Sequence, residues 1–584
     1  MKKRLVLIVF LGLAITLAAA PVRLAYNYCT LSYTMAFWSK DEWREELDRL
    51  AENGFNIALV LNGLPKVWQL TLREMGYPEA RIRAFIADES AAAWWHMGNL
   101  EGLGGPLSDK RIEADAELGR WIVEAMRKRG IEPLLQGFVG LVPCGTSGVQ
   151  SQGKWCDYDR PSLLPLSSEK FDRFADAWYR NLKQVYGLTE KNPARYLAGD
   201  LFHEGGSTKG LSNANLAAIA RKIQATQARH FGDQVTWVIQ SWQGTPPQGL
   251  RDGLDPKRTL IEFLDSDMSR KGPCGARYVN RTTGELLPWI WCEVMNFGGN
   301  PGLYGGAERF RTLPEIARER GCVGFGMLSE GLETNAAMYA LFAEAAASET
   351  NIELEPFFER FARRRYGFFD EKLKEAFRIL VRTVWSCPRA QQGTVENVLC
   401  AFPSFKVRNV SSWGPHEGLY YDPKELERAR GLFEQAMAAH KPLNEAIVFD
   451  WGELVQQDYA NRLRALNPVC ATSEVARVEF LRLGNELAEK LGSIPRWTFK
   501  FRADRARKTA GEAGTRSLWR LYTTWTEAGD SSRRSSLCEY AHRAYAELIR
   551  DYYLKRWAWF FEKADGKIDD AEYHRRLTAL DSEF

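Results

Sequence analysis

The sequence has few histidines and no recognisable cofactor motif. Its seven His are scattered over 584 residues and form neither an HExxH pattern nor a Cys/His cluster, so we expect no metal site. No GxGxxG or P-loop pattern follows any early β-like run, which leaves nucleotide cofactors without a binding motif. The prediction is therefore that no cofactor takes part in the function.

The chain also has little net charge. The formal charge is +4, and Lys2, Lys3 and Arg4 contribute three of these positive charges from a segment that we expect to be removed. The remaining chain has no long-range attraction for nucleic acids or anionic membranes, so neither is an expected partner. With 45% hydrophobic and 26% charged residues, the composition excludes a disordered, collagen-like or multi-spanning membrane protein.

Residues 1–20 are typical of a secretory signal. A basic start is followed by an apolar run from Leu5 to Leu17 and by Ala18, Ala19 and Ala20, the small-residue zone where cleavage occurs. We therefore predict an exported protein, periplasmic or extracellular in a bacterium and otherwise in a secretory or lysosomal lumen. The alternative is an uncleaved membrane anchor, but the apolar run is short for a helix that spans a membrane.

Ten cysteines are too few for a disulfide scaffold. Export permits disulfides, and the pairs nearest in sequence are Cys144 with Cys156 and Cys387 with Cys400, but spacing does not fix connectivity. We expect the other thiols to be free and buried, notably Cys292 and Cys322 in apolar runs.

Aromatic residues are the abundant class, with 20 Trp, 21 Tyr and 30 Phe. Such a content indicates large cores or surfaces that stack on flat apolar faces such as sugar rings.

From residue 21 to 347 short β-like runs alternate with helical stretches, as in a parallel sheet covered by helices. Eight β/α units of this size predict a (β/α)8 TIM barrel, with an open doubly wound sheet as the competing fold. The two clearest helices run from Lys40 to Asn53 and from Ile112 to Arg129. The eight expected strands are Leu24 to Tyr28, Asn56 to Leu61, Ile131 to Phe138, Tyr196 to Asp200, Val235 to Gln240, Thr259 to Leu264, Pro288 to Val294 and Cys322 to Met327.

From residue 348 to 584 the pattern changes to helices, which predicts a second, all-α domain. The basic segment Arg496 to Lys508 is expected to be a solvated helix face or loop and not a polyanion site. The expected helices are Pro356 to Tyr366, Glu371 to Trp385, Pro423 to His440, Phe449 to Leu466, Thr472 to Leu491, Thr515 to Glu527, Ser531 to Glu562 and Asp569 to Leu580.

Two glutamates follow apolar runs at expected strand ends, where barrel active sites form. Glu204 ends YLAGDLFHE, and Glu330 ends VGFGMLSE. Glycoside hydrolysis needs one carboxyl to protonate the leaving oxygen and a second to attack or activate water. By composition alone, helix N-terminal or loop carboxylates without a catalytic role are the better explanation of the pair.

Other polar and aromatic side chains follow the same strands. The Gly298-Gly299 pair predicts a tight turn that presents Asn296 and Asn300 inward, although a merely structural turn has the same composition. For each Trp in these loops, core packing and stacking on a ligand are both possible roles. The strand-end residues are Asn27, Cys29, Asn62, Gln240, Asp265 and Asp267, and the loop tryptophans are Trp38, Trp94, Trp155 and Trp242.

Ordered motifs of the chain resemble the α-N-acetylglucosaminidases of glycoside hydrolase family 89. The matching stretches are NYCTLSYTMAFW from residue 27, NGFNIALVLNG from 53, WHMGNLEG from 95, WIWCEVMNFGGNPGLYG from 289, GFGMLSEG from 324 and FARRRYG from 361. The resemblance implies a (β/α)8 barrel followed by an all-α domain, and retaining hydrolysis of terminal α-linked N-acetylglucosamine. It also implies a glycan as the partner.

By motif position, Glu204 matches the family's acid/base in the stretch Asp200 to Glu204, and Glu330 matches its nucleophile. The retaining mechanism implies that the two carboxyl groups lie about 5–5.5 Å apart. The pocket residues implied by the resemblance are Asn27, Cys29, Tyr33, Trp94, Asp200 and Trp242, with Trp155 as a weaker match.

The chain departs from the family pattern in three places. His203 stands where Asn is usual, Ser329 stands where lysosomal relatives have Pro, and the small N-terminal domain is expected to be absent. His203 could change the preference for the sugar's 2-substituent, so a related α-glycosidase is one alternative. A carbohydrate-binding pseudoenzyme is another. Candidates for a pocket wall from the helical domain are Trp413, His416, Tyr420 and Tyr421.

Overall fold

The computed structural model describes residues 21–165, 168–264, 278–387, 397–407, 419–525 and 540–582. Eight parallel strands close into a barrel, each hydrogen-bonded to its neighbours in chain order, and the last strand pairs with the first. The strands are β1 Val22–Ala25, β2 Ile57–Val60, β3 Glu132–Gln136, β4 Tyr196–Ala198, β5 Thr236–Ser241, β6 Thr259–Phe263, β7 Trp289–Glu293 and β8 Gly324–Met327. The barrel prediction is confirmed, and each expected strand overlaps an observed one.

Helices cover the outside of the barrel because their apolar faces need a partner. Ser39 caps the helix Lys40–Glu52, and Glu42 bonds back to it in a capping box. Trp43, Leu47 and Leu50 of this helix are buried, as its periodicity predicted. The helices up to residue 347 are Tyr28–Tyr33, Lys40–Glu52, Leu64–Glu74, Glu79–Phe85, Ala92–His96, Asp109–Arg127, Glu169–Tyr186, Asn213–Phe231, Gln248–Arg251, Ala307–Arg311, Leu313–Arg320 and Ala336–Ala347.

The elements beyond residue 348 in the described chain are helices, as predicted. The expected helix Ser531 to Glu562 is helical only from Ala546, and residues 531–539 lie outside the described residues. The long helix Phe499–Thr523 is interrupted at Gly511, whose φ of 65° is left-handed. The helices are Leu354–Tyr366, Glu371–Arg382, Pro423–Ala439, Glu445–Leu466, Glu474–Gly492, Phe499–Thr523, Ala546–Leu548, the π-helical turn Ile549–Tyr553, Leu554–Ala564 and Asp570–Asp581. The domain boundary at residue 348 stays a prediction, as does the signal segment, because residues 1–20 lie outside the described residues.

The basic segment Arg496 to Lys508 is not a solvated face throughout, which corrects the sequence prediction. Arg502 is only 2% exposed and pairs with Glu333 of the barrel. Arg505 pairs with Glu42, 2.7 Å away, at the start of a barrel helix. Part of the segment therefore forms a charged contact between the helical part and the barrel.

No disulfide joins Cys144 to Cys156 or Cys387 to Cys400, so the two pairings nearest in sequence do not form. Cys292 is buried, as expected, and Cys322 is partly exposed. No helix within the described ranges has the length and apolar content needed to cross a membrane.

Candidate active site

A cavity of about 230 Å³ opens at the carboxyl ends of the barrel strands. Parallel strands that end together bring their following loops to one face, where barrel enzymes place their chemistry. The lining residues are Asn27, Cys29, Trp94, Met97, Trp155, Cys156, His203, Glu204, Gln240, Trp242, Gln243, Leu264, Val294, Phe297, Glu330 and Tyr540. The structure thus brings both candidate glutamates to one cavity.

Glu204 lies in a tight turn six residues beyond the end of β4. Its φ of 43° and ψ of 51° are left-handed, a conformation that costs a non-glycine residue about 1 kcal/mol or more. The Asn99 amide donates to Oε2 at 2.8 Å, and the Trp242 indole N–H donates to Oε1 at 3.1 Å. Both carboxylate oxygens are therefore held in one orientation.

Glu330 follows β8 and is buried. The main-chain N–H of Gly298 donates to Oε2 at 2.5 Å, and the Tyr540 hydroxyl bonds to both carboxylate oxygens at 3.1 and 2.9 Å. Burial raises the pKa of Glu330 to about 7, although Gly298, Tyr540 and the Cys29 thiol all favour the ionised form. The site thus stabilises a carboxylate that desolvation disfavours.

Aromatic side chains form one wall of the cavity. Trp94 stacks on Trp155 with ring centroids 4.6 Å apart, and the edge of Trp525 meets both rings. Trp155 sits on a short hairpin, Lys154–Trp155 paired with Tyr158–Asp159. The two residues between these strands have left-handed φ values, as a type I′ turn requires.

Six of the expected binding residues line the cavity: Asn27, Cys29, Trp94, Trp155, His203 and Trp242. Tyr33 lies behind the wall, where its hydroxyl accepts hydrogen bonds from the indoles of Trp94 and Trp525. Asp200 lies below the cavity and accepts from the main-chain N–H of Gln240 at 2.8 Å. Burial raises the pKa of Asp200 to about 7. Tyr33 and Asp200 therefore support the lining residues without lining the cavity themselves.

Asn296 corrects the sequence prediction, because it is fully buried and does not line the cavity. Its amide nitrogen donates to the carbonyls of Asn300 and Gly302, and its oxygen accepts from the Tyr339 hydroxyl. These bonds occupy both polar atoms of the side chain. Asn296 therefore holds the turn that follows β7.

His203 is buried in the cavity wall, and its Nδ1 has no hydrogen-bond partner within the described part of the chain. Burial lowers the pKa of His203, so the imidazole is neutral. Ser329, the other departure, accepts a hydrogen bond from the Met295 amide through its hydroxyl at 3.1 Å. That bond links the loops after β7 and β8, a contact that proline cannot make.

Sequence reasoning missed several functional candidates. Asn99 lies inside a quoted motif but has no signal of its own. Tyr540 belongs to the helical part, 210 residues from Glu330. Of the expected wall residues, Tyr420 and Tyr421 instead bond to Val384 and Asn461. Trp413, His416, Asp265 and Asp267 lie outside the described residues.

No group of three or more His, Cys, Asp or Glu side chains that could hold a metal occurs in the part of the chain that the structure covers. The cavity itself presents the carboxyl groups of Glu204 and Glu330. The fold is a closed (β/α)8 barrel, and two glutamates face one tryptophan-lined cavity at the ends of its strands. Many glycoside hydrolases have this architecture.

Comparisons with known proteins define the family. Residues 23–349 match the model of the alpha-N-acetylglucosaminidase (NAGLU) TIM-barrel domain, and residues 357–584 match the C-terminal domain of the same family. The chain belongs to the alpha-N-acetylglucosaminidase family, glycoside hydrolase family 89. The resemblance inferred from the motifs is therefore confirmed.

Individual relatives agree with this assignment. The chain is 28% identical to the alpha-N-acetylglucosaminidase of Homo sapiens over 93% of its own length and 75% of the human protein. A family 89 glycoside hydrolase from Clostridium perfringens bound to PUGNAc is 30% identical, with a TM-score of 0.87 over 96% of this chain. A glutamine-substituted form of that enzyme is described in complex with its substrate GlcNAc-α-1,4-galactose, at 29% identity and a TM-score of 0.87. This chain spans 66% of the length of either clostridial chain.

Proposed function

We propose that this protein is an exo-acting, retaining α-N-acetylglucosaminidase that acts through a glycosyl-enzyme intermediate. The observation that carries the proposal is the position of Glu204 and Glu330, which follow β4 and β8 and face one cavity walled by Trp94, Trp155 and Trp242. Indole faces suit the apolar face of a sugar ring. The clostridial relative's complex with GlcNAc-α-1,4-galactose supports the same substrate class.

The stereochemistry of the substrate requires a nucleophile from the protein. In an α-N-acetylglucosaminide the 2-acetamido group lies on the same face as the leaving group, so its oxygen cannot attack the anomeric carbon from the opposite face. Glu330 supplies that attack, and its carbon–oxygen bond forms as the glycosidic bond breaks. Glu204 gives its proton to the leaving oxygen and later removes a proton from water. That water attacks the anomeric carbon as the bond to Glu330 breaks, which restores the Glu330 carboxylate and releases the sugar with retained α configuration.

The two environments fit these roles. Gly298 and Tyr540 donate to the carboxylate of Glu330, and so stabilise the charged form that attacks. Trp242, which donates to Glu204, also lines the cavity, so the acid is held beside the position of the sugar. The predicted carboxyl separation of about 5–5.5 Å stays a prediction of the retaining mechanism.

Azide rescue of two variants tests the assignment. Glu330→Ala removes the nucleophile, and azide in its place attacks the opposite face, so we expect β-N-acetylglucosaminyl azide from an aryl α-N-acetylglucosaminide. Glu204→Ala keeps the nucleophile, and azide then attacks the glycosyl-enzyme to give the α-azide. The anomer is read by NMR. Two outcomes would contradict the assignment. One is that Glu330→Ala gives the α-azide and no β-azide, and the other is that neither variant gives an azide.

A related α-glycosidase with a shifted 2-substituent preference is the second candidate, and His203 favours it. His203 lines the cavity, and the donor and acceptor nitrogens of its imidazole are placed differently from the amide donor and carbonyl acceptor of an Asn side chain. On this candidate, His203→Asn raises kcat/KM on aryl α-N-acetylglucosaminide relative to aryl α-glucoside. An unchanged ratio would leave the family's substrate as the better assignment. A wild type that binds the sugar but hydrolyses neither compound would be the pseudoenzyme.

Export from the cell is part of the proposal and rests on the basic, apolar and alanine-rich character of residues 1–20.

A further inference from the structure

Two buried arginines lie behind the two glutamates and do not line the cavity. Arg160 is 3% exposed and Arg543 is 2% exposed. Among the described residues neither pairs with a carboxylate, and their guanidinium groups donate to main-chain carbonyl oxygens. Buried charged groups are normally paired, because leaving water is costly for an ion. Their placement therefore calls for a functional explanation.

Arg160 holds the turn that carries Glu204. Its Nη1 donates to the carbonyl of His203 at 2.9 Å, and Nη2 donates to the carbonyl of Glu204 at 2.6 Å. Left-handed residues such as Glu204 persist only where the surroundings hold them. A longer bond of 3.4 Å reaches the carbonyl of Gly98, next to Asn99, whose amide bonds to the Glu204 carboxylate. One guanidinium thus fixes both the backbone of Glu204 and the loop of its donor.

Arg543 makes the equivalent arrangement around Glu330. Its Nη1 donates to the carbonyls of Gly298 and Ala541, both at 2.8 Å, and Nη2 donates to the carbonyl of Tyr33 at 3.0 Å. Gly298 and Tyr540, the neighbour of Ala541, are the donors to the Glu330 carboxylate. Arg543 thus ties a barrel turn to the segment of the helical part that completes the site.

We propose that Arg160 and Arg543 are positioning residues, Arg160 for the acid/base Glu204 and Arg543 for the nucleophile Glu330. The proposal rests on the proposed retaining function. Hydrogen bonds from a charged donor are stronger than hydrogen bonds between neutral groups. A planar guanidinium can bind two carbonyls in fixed directions, whereas a lysine ammonium is a point charge on a flexible stem.

The two roles differ in their dependence on the leaving group. Departure of dinitrophenol needs little protonation, whereas departure of phenol needs the acid. We therefore compare kcat/KM, which reports formation of the glycosyl-enzyme, on the dinitrophenyl and phenyl α-N-acetylglucosaminides. The variants are Arg160→Met, Arg160→Lys, Arg543→Met and Arg543→Lys. The ratio of the two values within one preparation is independent of the fraction of folded enzyme.

For Arg160→Met we expect the phenyl substrate to lose at least about tenfold more than the dinitrophenyl substrate, since a general acid contributes about 10²–10⁴. For Arg543→Met we expect both substrates to lose the same factor, about 10–100, because displacement of a reacting group by about 1 Å costs up to about 10². The lysine variants recover part of each loss. Arg556→Met is the matched control, because Arg556 is equally buried and donates to the carbonyls of Cys400 and Ala401, away from the cavity.

An equal loss on both substrates for Arg160→Met, or leaving-group dependence for Arg543→Met, overturns the assignment. A change in the ratio of the two kcat/KM values in Arg556→Met also overturns it, because the loss of any buried arginine would then explain the effects of the Arg160 and Arg543 variants. If the wild type hydrolyses neither substrate, the proposed function itself has failed, which is seen before any variant is made.

Discussion

Single side chains set the electrostatics of the site, and Glu330 shows this most clearly. Burial raises the pKa of its carboxyl group to about 7, and the donors Gly298 and Tyr540 oppose that rise. The carboxylate is the form that attacks carbon. The ionised fraction of Glu330, and hence kcat/KM, should therefore fall as the pH drops below about 7.

Tyr540→Phe tests this balance. The variant loses a hydroxyl that favours the carboxylate, so the pKa of Glu330 rises further and the acidic limb of kcat/KM moves to higher pH. We expect a displacement of about one to two pH units, since a hydrogen bond to a charged group contributes about 1.5–3 kcal/mol and 1.36 kcal/mol corresponds to one pH unit. The measurement is the pH profile of kcat/KM on an aryl α-N-acetylglucosaminide.

Tyr33→Phe is the control for that profile. Its hydroxyl lies behind the aromatic wall and bonds to the indoles of Trp94 and Trp525, not to Glu330. Its acidic limb should stay at the wild-type position. A limb that does not move in Tyr540→Phe would show that a group other than Glu330 controls it.

The motifs identified the residues around the cavity better than they identified what each residue does. Asn27, Cys29, Trp94 and Trp242 line the cavity, whereas Asn296 uses its whole amide to hold a turn. A Gly-Gly pair next to an Asn is compatible with either role. Only the hydrogen-bond partners distinguish a residue that faces the ligand from one that supports the loop.

At the scale of elements, the turn Phe297–Gly299 joins the barrel to the helical part. Gly298 has a left-handed φ of 64°, and a Cβ added there would lie 1.9 Å from the carbonyl oxygen of Tyr540. Because Gly298 and Tyr540 both donate to Glu330, any side chain at Gly298 separates the two donors.

Gly298→Ala should therefore lower kcat/KM by about 100-fold, the cost of displacing a reacting group by about 1 Å. Gly321→Ala is the matched control, because its φ of 67° is nearly the same and an added Cβ there meets no atom within 4 Å. The control should lose only about 1 kcal/mol of stability and keep its activity. Equal activity losses in both variants would attribute the effect to backbone strain alone.

The strands and most of the helices followed from local pattern. Apolar runs such as Ile57–Val60 and Trp289–Glu293 are buried along their whole length, as parallel strands covered on both sides must be. The segment Arg496 to Lys508 did not follow. From the sequence alone its charged side chains are expected to be solvated. In the folded chain, however, Arg502 pairs with Glu333, which is 169 residues away in the sequence.

For the molecule as a whole, this contact joins the two parts of the chain. Arg502 is 2% exposed and pairs with Glu333, and Arg505 lies 3.7 Å from the same carboxylate. Burial alone would raise the pKa of Glu333, but Arg502, Arg505 and Arg496 together hold it below the usual value. The stabilisation is therefore present near neutral pH and is lost as acid protonates Glu333.

Arg502→Met should destabilise the protein by up to about 3–5 kcal/mol at neutral pH, because it leaves the carboxylate of Glu333, which is only 18% exposed, without its main partner. The free energy of unfolding in urea measures the effect. Adding Glu333→Gln to Arg502→Met should restore part of the loss. Arg507→Met in the same helix is the control, because Arg507 is half-exposed in its pairing with Asp504, so we expect a cost below about 1 kcal/mol. A control as costly as Arg502→Met would refute the role of burial.

The sequence by itself determined the barrel, the helical part that follows it and the positions of Glu204 and Glu330. These features depend on periodicity and on short motifs, which are local along the chain. Only the tertiary structure decided which residues complete the site. Tyr540 donates a hydrogen bond to Glu330, and Asn99 donates one to Glu204. Arg160 and Arg543 lie behind the two glutamates and bind the main chain that carries Glu204 and Gly298. Tyr540 lies 210 residues from Glu330 along the chain, and no local pattern carries the three-dimensional packing that brings such distant residues into contact.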